Sequence, residues 1–323
     1  MKMNEKNTLL ILAFNEESNL EIVINQFIND FEYLLIVDDA STDNTKNIIE
    51  NLKHVNSNLH IVRNEKNLGA GYSFQTGINY IKNNLKDTKI ITKIDGDGQF
   101  EKKDIIKIRD ILNSTNVDFV KSNRFWENGI EGNIPTIRFF GNSLASLLIK
   151  FITGQFKIND PLNGLFGFRY ENINYIDVPK IFKRYGYPFY ISSLFVGKNL
   201  LISEIHNLVK YNIGEKSQLK AIPLFFKLVI YSIKFFFSNI VKKLRQSQLQ
   251  MSAILDMFFI FLQFNSFLII FKFITIRYFD VEGSQTNWLI LFVMIQLSSL
   301  VVICSSKVKE NNFRSKFFVD QDL

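Results

Sequence analysis

Between residues 8 and 124, short apolar runs alternate with segments of helical spacing. TLLILAF (8–14), YLLIVDDA (33–40), LHIVRN (59–64), KIITKID (89–95) and DFVKSNR (118–124) predict strands. Between them, residues 19–30, 42–53, 69–85 and 102–113 carry the 3.6-residue spacing of helices. Asp43 is placed to cap the second of these. Strands that are apolar at nearly every position, separated by helices, predict a mostly parallel sheet covered on both faces. The fold class is therefore α/β. In such sheets the ligand sits beyond the carboxyl ends of the strands. NEE, DDAS, RN and DGDGQ all fall there.

The pattern changes beyond residue 220 or so. MFFIFLQFNSFLIIF (257–271) has no charge and extends from Ala253 to Ile276 if Asp256 and Lys272 reach the headgroups. NWLILFVMIQLSSLVVICSS (287–306) is a second uncharged run. Each is long enough to cross a bilayer, which takes roughly 20 apolar residues. Ahead of them, residues 222–245 place Lys227, Tyr231, Lys234, Ser238 and Lys242 on one stripe of an otherwise apolar helix. A third span is the alternative for this segment, but it would hold two lysines inside the bilayer, which is costly; an interfacial helix with its lysines toward lipid phosphates is the better reading. The expected organisation is a catalytic domain over 1–220, an amphipathic helical segment over 221–250, two transmembrane helices over 251–308 and a tail over 309–323. Basic flanks at 242–246 and 307–316 place both termini in the cytoplasm by the positive-inside rule. The expected location is the cytoplasmic membrane, with the first domain facing the cytoplasm. The apolar run near the N-terminus is too short, and too soon followed by acidic residues, for a secretory signal.

Composition narrows the chemistry. The net charge is +7, which suits nucleic acid, an anionic membrane or phosphate-rich substrates. The basic residues cluster beside apolar helices, which points to lipid rather than nucleic acid. Cys304 is the only cysteine, and His54, His60 and His206 are scattered, so neither a disulfide framework nor a zinc-like spacing exists.

KIDGDGQ (93–99) is the sharpest local signal. Asp and Gly make turns, but alternate carboxylates at a strand end also face one cation. The EF-hand pattern fails, because Phe100 and Ile106 stand where Gly and Glu are needed. A dinucleotide fingerprint at Gly69 and Gly71 fails at Phe74, and no P-loop is present. These glycines still let backbone N–H groups approach a phosphate or ribose at a helix start. What survives is Asp95, Asp97 and Gln99, suited to Mg2+ or Mn2+ shared with substrate phosphates. Asp38 and Asp39, at the end of the second strand, are placed to accept from a base N–H or ribose hydroxyls, or else to form the turn in DDASTDNT.

With LAFNEESNL, IVDDASTDNT, RNEKNLGAGYSFQTG, KIDGDGQF and NDPLNGLFGFR in this order, the sequence resembles the family 2 glycosyltransferases, and within them the polyprenyl-phosphate (dolichyl-phosphate) sugar transferases. The resemblance covers about residues 8 to 217. It implies the nucleotide-sugar-binding α/β fold called GT-A, with Asp95 and Asp97 holding metal and nucleotide diphosphate. It also implies nucleotide contacts from Phe14, Glu16 and Asp39, phosphate contacts from Arg124 and Arg138, and Asp160 as the candidate base if the acceptor is a sugar hydroxyl. Departures are Leu12 where the family has proline, Asn123 before Arg124 where it has serine, and Tyr211 where a late arginine is expected, which leaves Lys210 or Lys216 to replace it.

The expected reaction is single inverting displacement from a nucleotide diphosphate sugar, with a polyprenyl phosphate lipid as acceptor. The alternatives are extension of a lipid-linked or cell-surface glycan, and a non-catalytic nucleotide-sugar-binding membrane protein. A homo-oligomer stays among the candidate partners.

Overall fold

The computed structural model describes residues 6–126, 130–131, 136–210, 221–279 and 285–320; the side chains at 130–131, 136–138, 210, 221, 277–279 and 285–286 lie outside the description. The chain divides into two compact units. One comprises Met1–Lys150, Lys157–Tyr231 and Phe317–Leu323, the other Phe151–Phe156 and Ser232–Lys316.

The first unit holds the predicted alternation. Its elements are β1 (Lys6–Ala13), α1 (Leu20–Phe27), β2 (Tyr33–Asp38), α2 (Thr45–Val55), β3 (Leu59–Arg63), α3 (Ala70–Asn84), β4 (Thr88–Asp95), α4 (Lys102–Ser114) and β5 (Phe119–Asn123). There follow β6 (Ile130–Glu131), α5 (Thr136–Thr153), β7 (Phe166–Arg169), α6 (Tyr187–Gly197), β8 (Ile202–His206), β9 (Val209–Lys210) and α7 (Ala221–Leu244). The main sheet has the order β3-β2-β1-β4-β7-β5-β8, and β6 pairs separately with β9. Pairing is parallel except at β7, which lies antiparallel between β4 and β5.

Alternation within the strands sets the two faces. Leu9, Ile11, Leu34 and Ile36 pack with Leu20, Ile24 and Phe27 of α1 and Ile105 and Ile108 of α4. On the other face α3 comes so close that a Cβ at Gly77 would stand 2.6 Å from Leu10. Phenylalanines fill the rest of that face. Phe119 stacks on Phe195 at 4.7 Å, and Phe74 meets Phe166 edge-on at 5.7 Å. Much of the phenylalanine in the first unit is thus core, where aromatic pairs contribute beyond their buried area.

The register fixes where the polar strand ends meet. Ala13 lies opposite Asp38, Asp38 opposite Arg63, and Leu12 opposite Asp95. The ends of β1, β2, β3 and β4 therefore share one edge of the sheet, as predicted.

The second unit contains the end of α7, then α8 (Gln250–Phe279) and α9 (Gln285–Arg314). Gln263 donates to Ser299 at 2.8 Å and Gln296 to Ser266 at 2.5 Å across the last two helices. Ile222–Leu244, Ser247–Ile276 and Asn287–Phe317 are each long and apolar enough to cross a membrane, three segments among the described residues where the sequence predicts two spans and an interfacial helix. A buried ionic cluster joins the end of α7, the start of α8 and the end of α9. Lys243 contacts Asp256 and reaches Glu310 at 3.0 Å. Lys307 and Arg314 reach Glu310 at 3.1 and 3.0 Å, and Asn239 donates to it at 3.0 Å.

Candidate active site

The KIDGDGQ segment turns at the end of β4. Gly96 N–H bonds Leu12 O at 2.9 Å, continuing the sheet by one residue. Asp97 Oδ1 accepts from Gln99 N–H at 3.1 Å, and Gly98 takes φ 72°, a left-handed conformation that favours glycine. Asp95 keeps its side chain 35% exposed, while Lys93, fully buried two residues earlier, donates to its Oδ1 at 2.6 Å. Asp95, Asp97, Gln99 and Phe100 then line a cavity of about 320 Å³ within the first unit.

Arg124 enters the same cavity from the end of β5. Its guanidinium is gripped by Asp160, with Nε to Oδ2 at 2.7 Å and Nη2 to Oδ1 at 3.0 Å. Asp160 is fully buried, behind the cavity rather than on its lining. The loop that carries it is anchored from below. Asn163 donates to Ser122 O at 3.3 Å and Asn207 Oδ1 at 3.0 Å, and the buried Lys121 donates to Asn163 O. Beside this layer, Glu204 Oε1 accepts from Asn123 at 2.8 Å and Asn159 Nδ2 at 2.9 Å. Burial pushes the Lys121 ammonium down to about 7 and the Glu204 carboxyl up to about 7.

The other strand-end residues serve the edge differently. Asp38 is buried, accepts from Ser41 N–H at 2.9 Å and Ser41 Oγ at 2.5 Å, and faces Arg63 at 3.4 Å. Asp39, also buried, accepts from Asn64 at 2.8 Å, Leu68 N–H at 3.0 Å and Gly69 N–H at 2.7 Å. Both carboxylates fix turns of the chain. Phe14 is half-buried and Glu16 donates its backbone N–H to Thr45 Oγ1 at 2.8 Å. None of Phe14, Glu16, Asp38, Asp39 and Gly69 lines the 320 Å³ cavity. Gly69 adjoins it: its φ is 95°, and a Cβ there would stand 2.6 Å from Cγ of Arg184, a lining residue. Arg138 falls in the first turn of α5, and its side chain is outside the described residues, as is that of Lys210. Tyr211, Lys216 and Ser217 lie outside the described residues altogether.

Several lining residues escape the sequence reading. Arg184 and Tyr187 come from KRYGYPFY, which has no periodicity or charge pattern to mark it. Gly164 belongs to NDPLNG, and a Cβ there would stand 2.4 Å from Asp95 Oδ2. Leu224, Phe225 and Leu228, from the first turns of α7, form an apolar wall of the same cavity.

Comparison with known proteins agrees with this architecture. The family described as Glycosyl transferase family 2 matches residues 8–176. An uncharacterized protein of Methanocaldococcus jannaschii is 31% identical over 212 residues, 63% of this chain and 87% of that protein. A UDP-N-acetylglucosamine--dolichyl-phosphate N-acetylglucosaminyltransferase of Methanococcus voltae is 27% identical over 190 residues, 55% of this chain and 74% of that protein. Among solved structures, glucosyl-3-phosphoglycerate synthase from Mycobacterium tuberculosis, in complex with Mn2+, UDP and glucosyl-3-phosphoglycerate, aligns with a TM-score of 0.51 and 18% identity over 72% of this chain and 80% of that one. The fold is the GT-A fold expected from the sequence.

Proposed function

The chain belongs to glycosyl transferase family 2, and from that premise we propose that it moves a sugar from a nucleotide diphosphate sugar to the phosphate of a polyprenyl lipid. The observation that carries the acceptor is the shared cavity: Asp95, Asp97 and Arg124 line it together with Leu224, Phe225 and Leu228 of an apolar helix. A charged donor and a greasy acceptor have to meet, and this cavity has a wall for each. Dolichyl phosphate in the name of the Methanococcus voltae relative supports the same acceptor class.

A divalent metal fits the residues present. Among the described residues no group of three or more His, Cys, Asp or Glu gathers to cage an ion. Mg2+ and Mn2+ do not need one, since they take one or two protein carboxylates and complete their shell with water and substrate phosphate. Asp97 and Asp95 would hold it, and Gly164 packs so close to Asp95 that a side chain there would displace the carboxylate. When bound, it would neutralise the diphosphate leaving group.

The remaining steps belong to side chains. Arg124, aligned by Asp160, adds fixed positive charge where the leaving group develops its own. A lipid phosphate is an anion near neutral pH, so its oxygen attacks the sugar's anomeric carbon without a base, and the bond to the diphosphate breaks on the opposite face. Asp160, buried with both oxygens engaged by Arg124, is assigned here to positioning rather than proton transfer. Asp39 and Gly69 shape the nucleotide side by fixing the loop ahead of α3. Gln99 is assigned to the diphosphate beside Asp97.

The membrane setting follows from α7 onward. Ile222, Phe226, Ile230, Ile233, Phe237 and Val241 are exposed along one side of α7, as an interfacial helix needs. The ionic cluster gathers at the ends of α7 and α9 and the start of α8, beside the basic flanks that the positive-inside rule assigns to the cytoplasm. The test uses purified chain in detergent with Mn2+ or Mg2+, undecaprenyl phosphate and a panel of nucleotide sugars, following release of nucleoside diphosphate. Release that needs both metal and lipid, and is lost in Asp97→Ala, is the expected result. Release only with a lipid-linked sugar as acceptor would move the protein to glycan extension.

A further inference from the structure

Tyr187 opens α6 and lines the cavity with its side chain 3% exposed. Its ring is held firmly. It stacks on Phe74 at 5.0 Å, meets Phe166 edge-on at 6.4 Å, and has the Lys93 ammonium 5.4 Å from its centroid. The hydroxyl has no hydrogen-bond partner among the described residues. Of the buried side-chain oxygens in that position, it is the one carried by a cavity-lining residue. Buried tyrosine hydroxyls ordinarily find a partner, and an unmade bond destabilises the fold. A ligand in the cavity would supply the missing partner.

The surroundings select the chemistry of that ligand. The ammonium that faces the Tyr187 ring is the one bonded to Asp95 Oδ1 at 2.6 Å. A tyrosine phenol keeps its proton near neutral pH, so the hydroxyl is a donor. A phosphate oxygen accepts only, and the diphosphate is already assigned to the metal that Asp95 and Asp97 would hold. A hydroxyl can accept from a phenol and donate to a carboxylate at once. We infer that Tyr187 Oη donates a hydrogen bond to a hydroxyl of the bound nucleotide sugar, which makes Tyr187 a donor-recognition residue. This rests on the glycosyltransferase reading.

The experiment is calorimetric titration of the full chain in detergent with Mn2+, comparing wild type with Tyr187→Phe. The ligands are UDP-glucose, UDP-N-acetylglucosamine and GDP-mannose, the matching nucleoside diphosphates, and their 2′,3′-dideoxy analogues. Thermal melting without ligand is measured alongside. Tyr187→Phe is expected to bind the preferred nucleotide sugar roughly tenfold more weakly, with no loss of Tm. Unchanged affinity for the bare nucleoside diphosphate then assigns the hydroxyl to the transferred sugar. A loss shared by the nucleoside diphosphate and absent from its dideoxy analogue assigns it to the ribose. A loss that persists with the dideoxy analogue points to phosphate and overturns the inference. So does unchanged affinity for every ligand together with a raised Tm, the mark of a hydroxyl that is never partnered. Wild type that binds no nucleotide sugar of any kind would sink the glycosyltransferase reading itself, and this inference with it.

Discussion

Arg124 and Asp160 are locked in a two-point ion pair, Nε to Oδ2 at 2.7 Å and Nη2 to Oδ1 at 3.0 Å, with the carboxylate fully buried and the guanidinium on the cavity wall. Such bidentate pairs fix direction as well as charge. Asp160→Asn should therefore act through Arg124. Misplacing a positioning group by about an ångström costs on the order of 100-fold in rate, and that is the expected fall in kcat/KM. The double variant with Arg124→Ala should be no slower than the worse single one, because both remove one unit. Additive losses in steady-state kinetics would mean that Asp160 does separate work, as a base would.

Gly164→Ala tests the space beside the metal-ready carboxylate. The new Cβ would stand 2.4 Å from Asp95 Oδ2 and 3.3 Å from Lys93 Nζ. Real Cβ atoms do not come that near, so Asp95 has to move. The expected outcome is loss of metal-dependent donor binding with Tm lowered by a few degrees, roughly 1–3 kcal/mol of overpacking. Calorimetry with Mn2+ and the nucleotide sugar reads the first effect. Full donor affinity would mean that the Asp95 carboxylate is not needed in its present place.

How much of this was legible beforehand depends on how local the cause is. The strands through β5 announce themselves by apolar runs, and DGDGQ by acids and glycines at a strand end, because those features act within a few residues. β7 did not: FGFR is short, and its antiparallel place between β4 and β5 is set by pairing with residues far away in sequence. Arg184 and Tyr187 arrive from a segment without periodicity, so only the tertiary fold reveals them. Asp38 and Asp39 were visible as strand-end acids, but which way a carboxylate turns depends on Ser41, Asn64 and Gly69 around it. The apolar composition of α7 marked it for lipid, and hid that its first turns also wall the cavity.

Stability should pass through a minimum near neutral pH. Between about 4.5 and 7 the native chain holds a proton on Glu204 that the unfolded chain has released, so stability falls as pH rises. Between about 7 and 10.5 the unfolded chain holds a proton that native Lys121 has lost, so stability rises with pH. Melting curves from pH 5 to about 9 should show both slopes. Glu204→Gln should flatten the acid-side slope and Lys121→Met the alkaline-side slope. A wild-type profile that changes in one direction only would contradict the opposing pair.

The ionic cluster of the second unit gives an asymmetric prediction. Lys243, Lys307 and Arg314 face Asp256 and Glu310, all buried. Glu310→Gln leaves three cations against one carboxylate, whereas Lys243→Met leaves two against two. Breaking a buried pair costs about 3–5 kcal/mol when it strands a charge, so Glu310→Gln should lower the Tm in detergent far more than Lys243→Met. Equal losses would show that packing, not charge balance, holds the three helices together.

The acceptor wall is the last and most specific test. Phe225 and Leu228 line the cavity, and an acid there would set a charge where the prenyl chain of the proposed acceptor would lie. Phe225→Asp should raise the KM for undecaprenyl phosphate at least tenfold, roughly 1.4 kcal/mol of lost contact. Donor affinity should stay within about twofold, since Asp95, Asp97 and Arg124 are untouched. A water-soluble acceptor analogue lacking the long chain should lose its preference for wild type over the variant. If Phe225→Asp instead weakened donor binding and left lipid KM unchanged, the apolar wall would belong to the nucleotide sugar, and the acceptor would have to enter from another side.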